Sequence, residues 1–126
     1  MKWKAWVGLL VVLFVPSSCN VLGPDTCTAE SSPGIVVHIR DAAGGVLNRE
    51  AVVVRIEGRG QVEEPFVGYR DDLGAVTAGG AHETPGTYRV TIQAPGFRDW
   101  IADNVRVTKR GCHVETVKLE AFLVRS

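Results

Sequence analysis

Three cysteines, three histidines and two adjacent carboxylate pairs carry most of the chemistry available to this 126-residue chain. A structural zinc site needs closely spaced thiolates and imidazoles. Here Cys19, Cys27 and Cys112 lack that spacing, and His38, His82 and His113 are scattered, so no metal site is expected. General acid–base work needs a base held within reach of a nucleophile or substrate proton. His38 shares strand parity with Arg40 and reads as a solvent-facing residue, and no base–nucleophile constellation is visible, so no catalytic residue is assigned. Glu63-Glu64 and Asp71-Asp72 fall in turn-like stretches without EF-hand spacing and read as solvated loop charge. The glycines occur singly or in pairs without a following Lys-Ser/Thr, which excludes a phosphate-cradling loop. No cofactor is therefore expected. Tyr69, Phe97 and Trp100 form a candidate binding surface, since loops are where binding residues concentrate. The competing role for Trp100 is to close the end of the fold.

The N-terminus supplies an address. Lys2 and Lys4 precede an uncharged, largely apolar run from Ala5 to Val15, followed by Pro16, Ser17, Ser18 and Cys19. That order is a secretory signal. A membrane span needs about 20 apolar residues, and this run is little more than half of that before Pro16 breaks it. The segment VPSSCN resembles a bacterial lipobox, in which the cysteine is diacylated, becomes the first residue and is N-acylated. Ser17, Ser18 and Cys19 fit, and Pro16 departs from the usual leucine. The resemblance implies lipidation at Cys19. The alternative is ordinary signal cleavage nearby. Asn20, where an aspartate would favour inner-membrane retention, implies an outer-membrane anchor facing the periplasm in a diderm cell.

Without residues 1–18 the chain has 108 residues, the size of one small domain. It then carries 12 basic and 14 acidic residues, with no basic block, so nucleic-acid binding has no electrostatic footprint. With Cys19 lipidated, Cys27 and Cys112 remain as a pair in an oxidising compartment, where a disulfide is expected. Two buried free thiols are the alternative.

Residues 19–33 read as a Pro/Ser/Thr/Gly-rich tether and 34–126 as one domain. In 34–126, apolar residues recur at every second position. Ile35, Val37 and Ile39 share one face, as do Val52, Val54 and Ile56 in a strand expected over 50–57, then Tyr88, Val90 and Ile92. This is the signature of half-buried strands. Further strands are expected at 61–69, interrupted by Pro65, around 75–78, at 104–109 and at 112–123. A short helical turn is allowed within 97–104. In the last strand Val117, Leu119, Ala121 and Leu123 share a face and Val114 has the opposite parity, which predicts a bulge or twist. Short strands without a long amphipathic helix indicate an all-β sandwich or barrel.

The strand ending in Asp41 and Gly44, the following Ala51 to Val54, and Gly86, Tyr88, Val90, Ile92, Ala94, Gly96 and Phe97 resemble the carboxypeptidase regulatory-like and transthyretin-like domains. The resemblance covers about 90 residues and implies a seven-stranded Greek-key β-sandwich, with Cys27 and Cys112 stapling the chain ends. The whole chain also resembles small bacterial lipoproteins of unassigned role. The expected function is a non-catalytic, lipid-anchored envelope protein. It would bind or scaffold another envelope protein, a peptide or a glycan. Two alternatives are carried. One is a hydrolase of the transthyretin-like hydroxyisourate hydrolase type, which would gather His38, His82, His113 or Arg125 into a cleft. The other is a small-molecule carrier, which would need an apolar cavity.

Overall fold

The computed structural model describes residues 30–70 and 74–126. The expected signal segment, Cys19, Cys27 and the Asp71-Asp72 pair lie outside the described residues.

The fold is an all-β sandwich of two sheets. The strands are β1 (Ile35–Asp41), β2 (Val53–Gly58), β3 (Gln61–Glu63), β4 (Val67–Tyr69), β5 (Val76–Gly80), β6 (Gly86–Gln93), β7 (Trp100–Arg110), β8 (His113–Glu115) and β9 (Val117–Leu123). One sheet has the order β4-β5-β1-β9 and the other β3-β2-β6-β7-β8. Pairing is antiparallel throughout except between β1 and β9, which run parallel. Alternation sets the interior. Ile35, Val37 and Ile39 of β1 face Val54 and Ile56 of β2 and Val90 and Ile92 of β6 in one core. Burying each such side chain contributes about 1.5–3 kcal/mol.

Nine strands stand where seven were expected, because two of the expected strands each change sheets. The 61–69 segment pairs with β2 as β3 and then crosses to pair with β5 as β4. The β2–β3 register sets Ile56 against Glu63, and one rung further Pro65 would oppose Val54. Proline has no N–H to give a ladder, so the pairing ends there. The final segment also switches. β8 pairs with β7, and after Thr116 alone β9 pairs with β1. Val114 is buried from one sheet, and Ala121 and Leu123 from the other. The parity change in the sequence is therefore a sheet crossing and not a bulge within one strand.

Two other expectations are corrected. The strand expected from residue 50 begins at Val53, after a 3₁₀ turn at Arg49–Ala51. Trp100–Asn104 is not helical. It opens β7, and the β6–β7 register shifts between Tyr88 and Val90, opposite Asn104, whose φ is 55°. Asparagine tolerates that left-handed conformation, and the extra residue is absorbed as a bulge.

The sandwich has two chemically distinct poles. The chain enters at Ser32–Gly34, where Gly34 N–H donates to Gly80 O, Val117 N–H to Gly34 O, and Thr116 Oγ1 to Pro33 O. β1 then runs seven residues to Asp41, about 20 Å at strand rise. At that far pole Ala42 N–H donates to Leu123 O, Leu47 N–H to Gly74 O, and Arg98 N–H to Val124 O.

Candidate functional site

The far pole is built around the end of β1. The Asp41 side chain is 1% exposed. Its Oδ1 accepts Ala43 N–H at 2.8 Å, and its main-chain oxygen accepts Gly44 N–H at 2.9 Å. Gly44 has φ +85°, and a Cβ on Gly45 would lie 2.5 Å from Asp41 Oδ2. The Asp-Ala-Ala-Gly-Gly run is thus a turn in which the carboxylate caps backbone donors and each glycine meets a separate steric demand. The other Asp41 oxygen receives Arg125 Nη2 at 3.2 Å. The same guanidinium lies 5.1 Å over the Phe97 ring.

The turn leads to Asn48, whose Oδ1 accepts Glu50 N–H at 3.1 Å and starts the 3₁₀ turn. This turn separates two hollows. One, of about 330 Å³, lies between the start of β2 and the crossing segment Glu64–Val67. The other, of about 180 Å³, lies against Pro95, Phe97 and Arg125. Val52 lines both. Arg49 stands in the wall of the larger hollow, its guanidinium carbon 5.0 Å from the Tyr69 ring centroid and 5.7 Å from that of Phe66. Each hollow therefore has an arginine over an aromatic face, two rings for Arg49 and one for Arg125, a contact worth about 0.5–1 kcal/mol when exposed. Phe66 is 80% exposed and Val46, near the smaller hollow, 77%. Rings and arginines with exposed apolar neighbours are the side chains that dominate the energetics of protein interfaces. The arrangement can bind.

Of the residues singled out in the sequence, Tyr69 lies beside the larger hollow and Phe97 beside the smaller. Trp100 pairs with Ile92 across β6–β7, and both Trp100 and Phe97 pack in part against the core. Tyr69 therefore belongs with Arg49 and Phe66, two residues that strand periodicity does not mark. The trace they leave is Pro65-Phe66, an aromatic directly after a strand breaker. Glu63 and Glu64 are engaged by protein groups: Glu63 Oε2 accepts Ala81 N–H at 3.0 Å, and Glu64 pairs with Arg55 at 3.3 Å. Among the described residues no cluster of three or more His, Cys, Asp or Glu could hold a metal.

The histidines do not share the far pole. His38 is half-buried on the outer face of the four-stranded sheet, in register with Thr77 and Glu120. Among the described residues its Nδ1 is sealed from solvent and meets no hydrogen-bond partner, so the solvent-facing expectation holds for the face and not for this atom. His82 is exposed in the loop before β6. His113 opens β8 at the pole where the chain enters, and its Nδ1 lies 2.6 Å from Glu83 Oε1. Glu83 also accepts Ser32 N–H at 2.7 Å and Val114 N–H at 3.3 Å. One carboxylate thereby ties the incoming chain, the β5–β6 loop and β8. The His113 hydrogen bond, then the Ser32 N–H, hold the Glu83 carboxyl below its ordinary value. Cys112 is half-buried immediately before His113.

No protein-family model matches the chain, and no curated protein matches it. Architecture and surface describe it: a β-sandwich fastened where the chain enters, with an aromatic–arginine surface that runs from the far pole to the β4 edge.

Proposed function

We propose that this chain is a lipid-anchored cell-envelope protein whose sandwich is a non-catalytic binding module. It is held to the membrane at one pole and presents its aromatic–arginine pole to a partner. The observation that carries this reading is the exposure of Tyr69 and Val46 towards the end of the sandwich away from Ser32–Gly34, with Phe66 exposed on the β4 edge against the same Arg49. An anchor at Cys19 reaches the domain through the tether and leaves the far pole facing away from the bilayer. Several acyl chains, at about 0.8 kcal/mol per buried methylene, would hold a domain of this size. A protein partner is favoured over a glycan because each arginine already covers ring faces that a sugar would stack on.

A Cys27–Cys112 bridge belongs to this reading. Cys112 is half-buried directly before His113, at the pole where the chain enters the domain. The relation to carboxypeptidase regulatory-like and transthyretin-like domains, with outer-membrane placement, completes the proposal. Support for the relation comes from Tyr88, whose hydroxyl donates to Thr84 O at 2.7 Å, and from Gly96 at φ +83°.

The test is site-specific photo-crosslinking in intact cells, with the photoreactive residue at position 66 or at position 82. A discrete adduct from position 66, absent from position 82 and lost with Val46→Asp, is expected. Equal adducts from both positions, or none from 66, overturn the binding role. Intact mass of the mature protein and detergent partitioning of Cys19→Ala test the anchor separately.

A further inference from the structure

The four-stranded sheet ends in an edge that the chain itself only partly covers. β9 has β1 as its neighbour on one side. Val117 N–H donates to Gly34 O and Ala42 N–H to Leu123 O, both at 2.8 Å. These two bonds fix the parity of the parallel ladder. The main-chain groups of Val117, Leu119, Ala121 and Leu123 face β1, and those of Lys118, Glu120 and Phe122 face the other side. Beyond β9 the same parity is in use. Val124 O accepts Arg98 N–H at 2.8 Å, and Ser126 N–H donates to Gly96 O at 3.0 Å. The Gly96–Arg98 segment thus covers the edge past Leu123, then leaves it as β7 pairs with β6. Among the described residues no strand lies beside Lys118, Glu120 and Phe122, and all three are exposed.

The side chains record the same gap. Leu123, beside the Gly96–Arg98 segment, is 1% exposed. Val117 and Leu119 share its face and its core but are only partly buried. An edge guarded against pairing carries charge that repels its like, or a proline. This edge instead sets Lys118 and Glu120 two residues apart on the outer face, with Leu119 between them on the inner. Arg70 Nη1, 4.0 Å from Glu120, leaves that carboxylate half-exposed. Lys-Leu-Glu is its own complement. In an antiparallel pair of two β9 strands centred on Leu119, Lys118 opposes Glu120 of the second copy, and Glu120 opposes its Lys118. Both rungs are of the kind that exchanges two main-chain bonds, and the two Leu119 side chains meet over the uncovered rim of the core. Centring on Glu120 would set two carboxylates opposite each other. Centring on Ala121 would run Lys118 into Val124, whose carbonyl Arg98 already holds.

We propose that the β9 edge is the contact by which two copies of this chain pair, joining their four-stranded sheets into one continuous sheet. The pairing is isologous, about a two-fold axis at Leu119. It goes beyond the binding role proposed above and does not rest on it. β4 forms the two outer ends of the joined sheet, so the Arg49 surface on that edge stays open in both copies. Antiparallel strands set the two entry poles at opposite ends, about 23 Å apart for strands of this length. The tether expected over residues 19–33 spans up to about 50 Å when extended, so both anchors reach one bilayer. The contact is small and belongs with weak self-association.

The test is sedimentation velocity of the full chain as purified, from about 10 µM to about 1 mM, with amide exchange followed over the same range. A two-copy species is expected with a Kd on the order of 0.1 mM, an affinity suited to a small contact. The Lys118, Glu120 and Phe122 amides slow as it forms, whereas those of Leu119 and Ala121, already bonded to β1, do not. Lys118→Glu or Glu120→Lys alone sets like charges opposite one another and weakens pairing about tenfold. Mixing the two single variants restores a two-copy species containing one of each, and the double variant pairs as the wild type does. Both positions are exposed, so the variants keep the wild-type urea midpoint. A one-copy mass at about 1 mM overturns the proposal. So does a two-copy species that the single variants leave intact, that mixing does not restore, or that forms without slowing the Lys118 and Glu120 amides. If the chain stays single while position 66 still yields its crosslink, the pairing falls and the binding role stands.

Discussion

Arg125 Nη2 lies 3.2 Å from Asp41 Oδ2 and so ties the end of β1 to the chain beyond β9. The two partners are unequal: the carboxylate is 1% exposed and the guanidinium 66%. Removing Asp41 releases an arginine that water can solvate, but takes the acceptor from the Ala43 N–H. Ala43 itself is exposed, so Asp41→Ala is expected to cost about 1 kcal/mol, the usual net worth of a hydrogen bond. Asp41→Asn keeps an acceptor and costs less. Gly45→Ala pushes on the same carboxylate, so its loss is not additive with Asp41→Ala. Urea denaturation of the two single variants and the double variant checks this. An unchanged midpoint for Asp41→Ala rejects the capping role.

The pole where the chain enters has a pH dependence of definite sign. Glu83 is held below its ordinary value by His113 and by the Ser32 and Val114 amides. An unfolded chain takes up this proton first as pH falls, near 4 to 5. The contribution of Glu83 is therefore complete above that range and declines as pH drops through its lower folded value. Melting temperature measured from pH 7 to pH 3 should fall more steeply in the wild type than in Glu83→Gln. Parallel curves would remove Glu83 from the acid response.

Strand content was legible because water-shunning side chains at every second residue leave few alternatives to a two-layer stack. What periodicity could not reveal is which sheet each strand joins. Val114 carried the only local trace of the β8–β9 crossing, since a chain that changes sheets keeps its alternation but slips by one position. Pro65 similarly announced a break but not the hollow behind it, because the partner of a missing rung is defined by β2. Arg49 was invisible for a different reason. Its stacking on Tyr69 and Phe66 depends on a 3₁₀ turn that interrupts an otherwise strand-like Val52-Val53-Val54 run.

Tyr88 makes the opposite prediction to Glu83 at the alkaline end. Its hydroxyl donates to Thr84 O and the ring is buried, and this desolvation raises its ionisation above the usual value of 10.0. The unfolded chain then loses its phenolic proton first, so stability falls as pH rises beyond about 10. Tyr88→Phe should flatten that limb and cost about 1 kcal/mol at neutral pH through the lost hydrogen bond. Denaturant midpoints at pH 8 and pH 11 decide it. A variant with the wild-type alkaline loss shows that another group is responsible.

The proposed Cys27–Cys112 bridge would close a loop of about 85 residues, for which chain entropy gives about 4–5 kcal/mol. That is comparable to the total stability of a small domain. Reduction under native conditions, or Cys27→Ser, should lower the urea midpoint severely, and the two treatments should not add. Non-reducing peptide mapping should recover residues 27 and 112 in one linked species. A reduced protein as stable as the oxidised one removes the staple.

Phe66 and Trp100 separate binding from packing. Phe66 is 80% exposed and touches Arg49, whereas Trp100 packs partly on the core. An exposed side chain away from caps and cavities changes stability by about 0.5 kcal/mol or less when replaced. A large aromatic removed from the core costs about 3 kcal/mol or more, and Trp100, only partly buried, should fall short of that while exceeding Phe66. Phe66→Ser is thus expected to keep the wild-type urea midpoint while losing the partner crosslink placed at position 69. Trp100→Ala should lose stability first, and retain the crosslink at temperatures where it stays folded. If Phe66→Ser instead unfolds the domain, the ring is a structural lid over the larger hollow, and the far pole loses its claim as a binding surface.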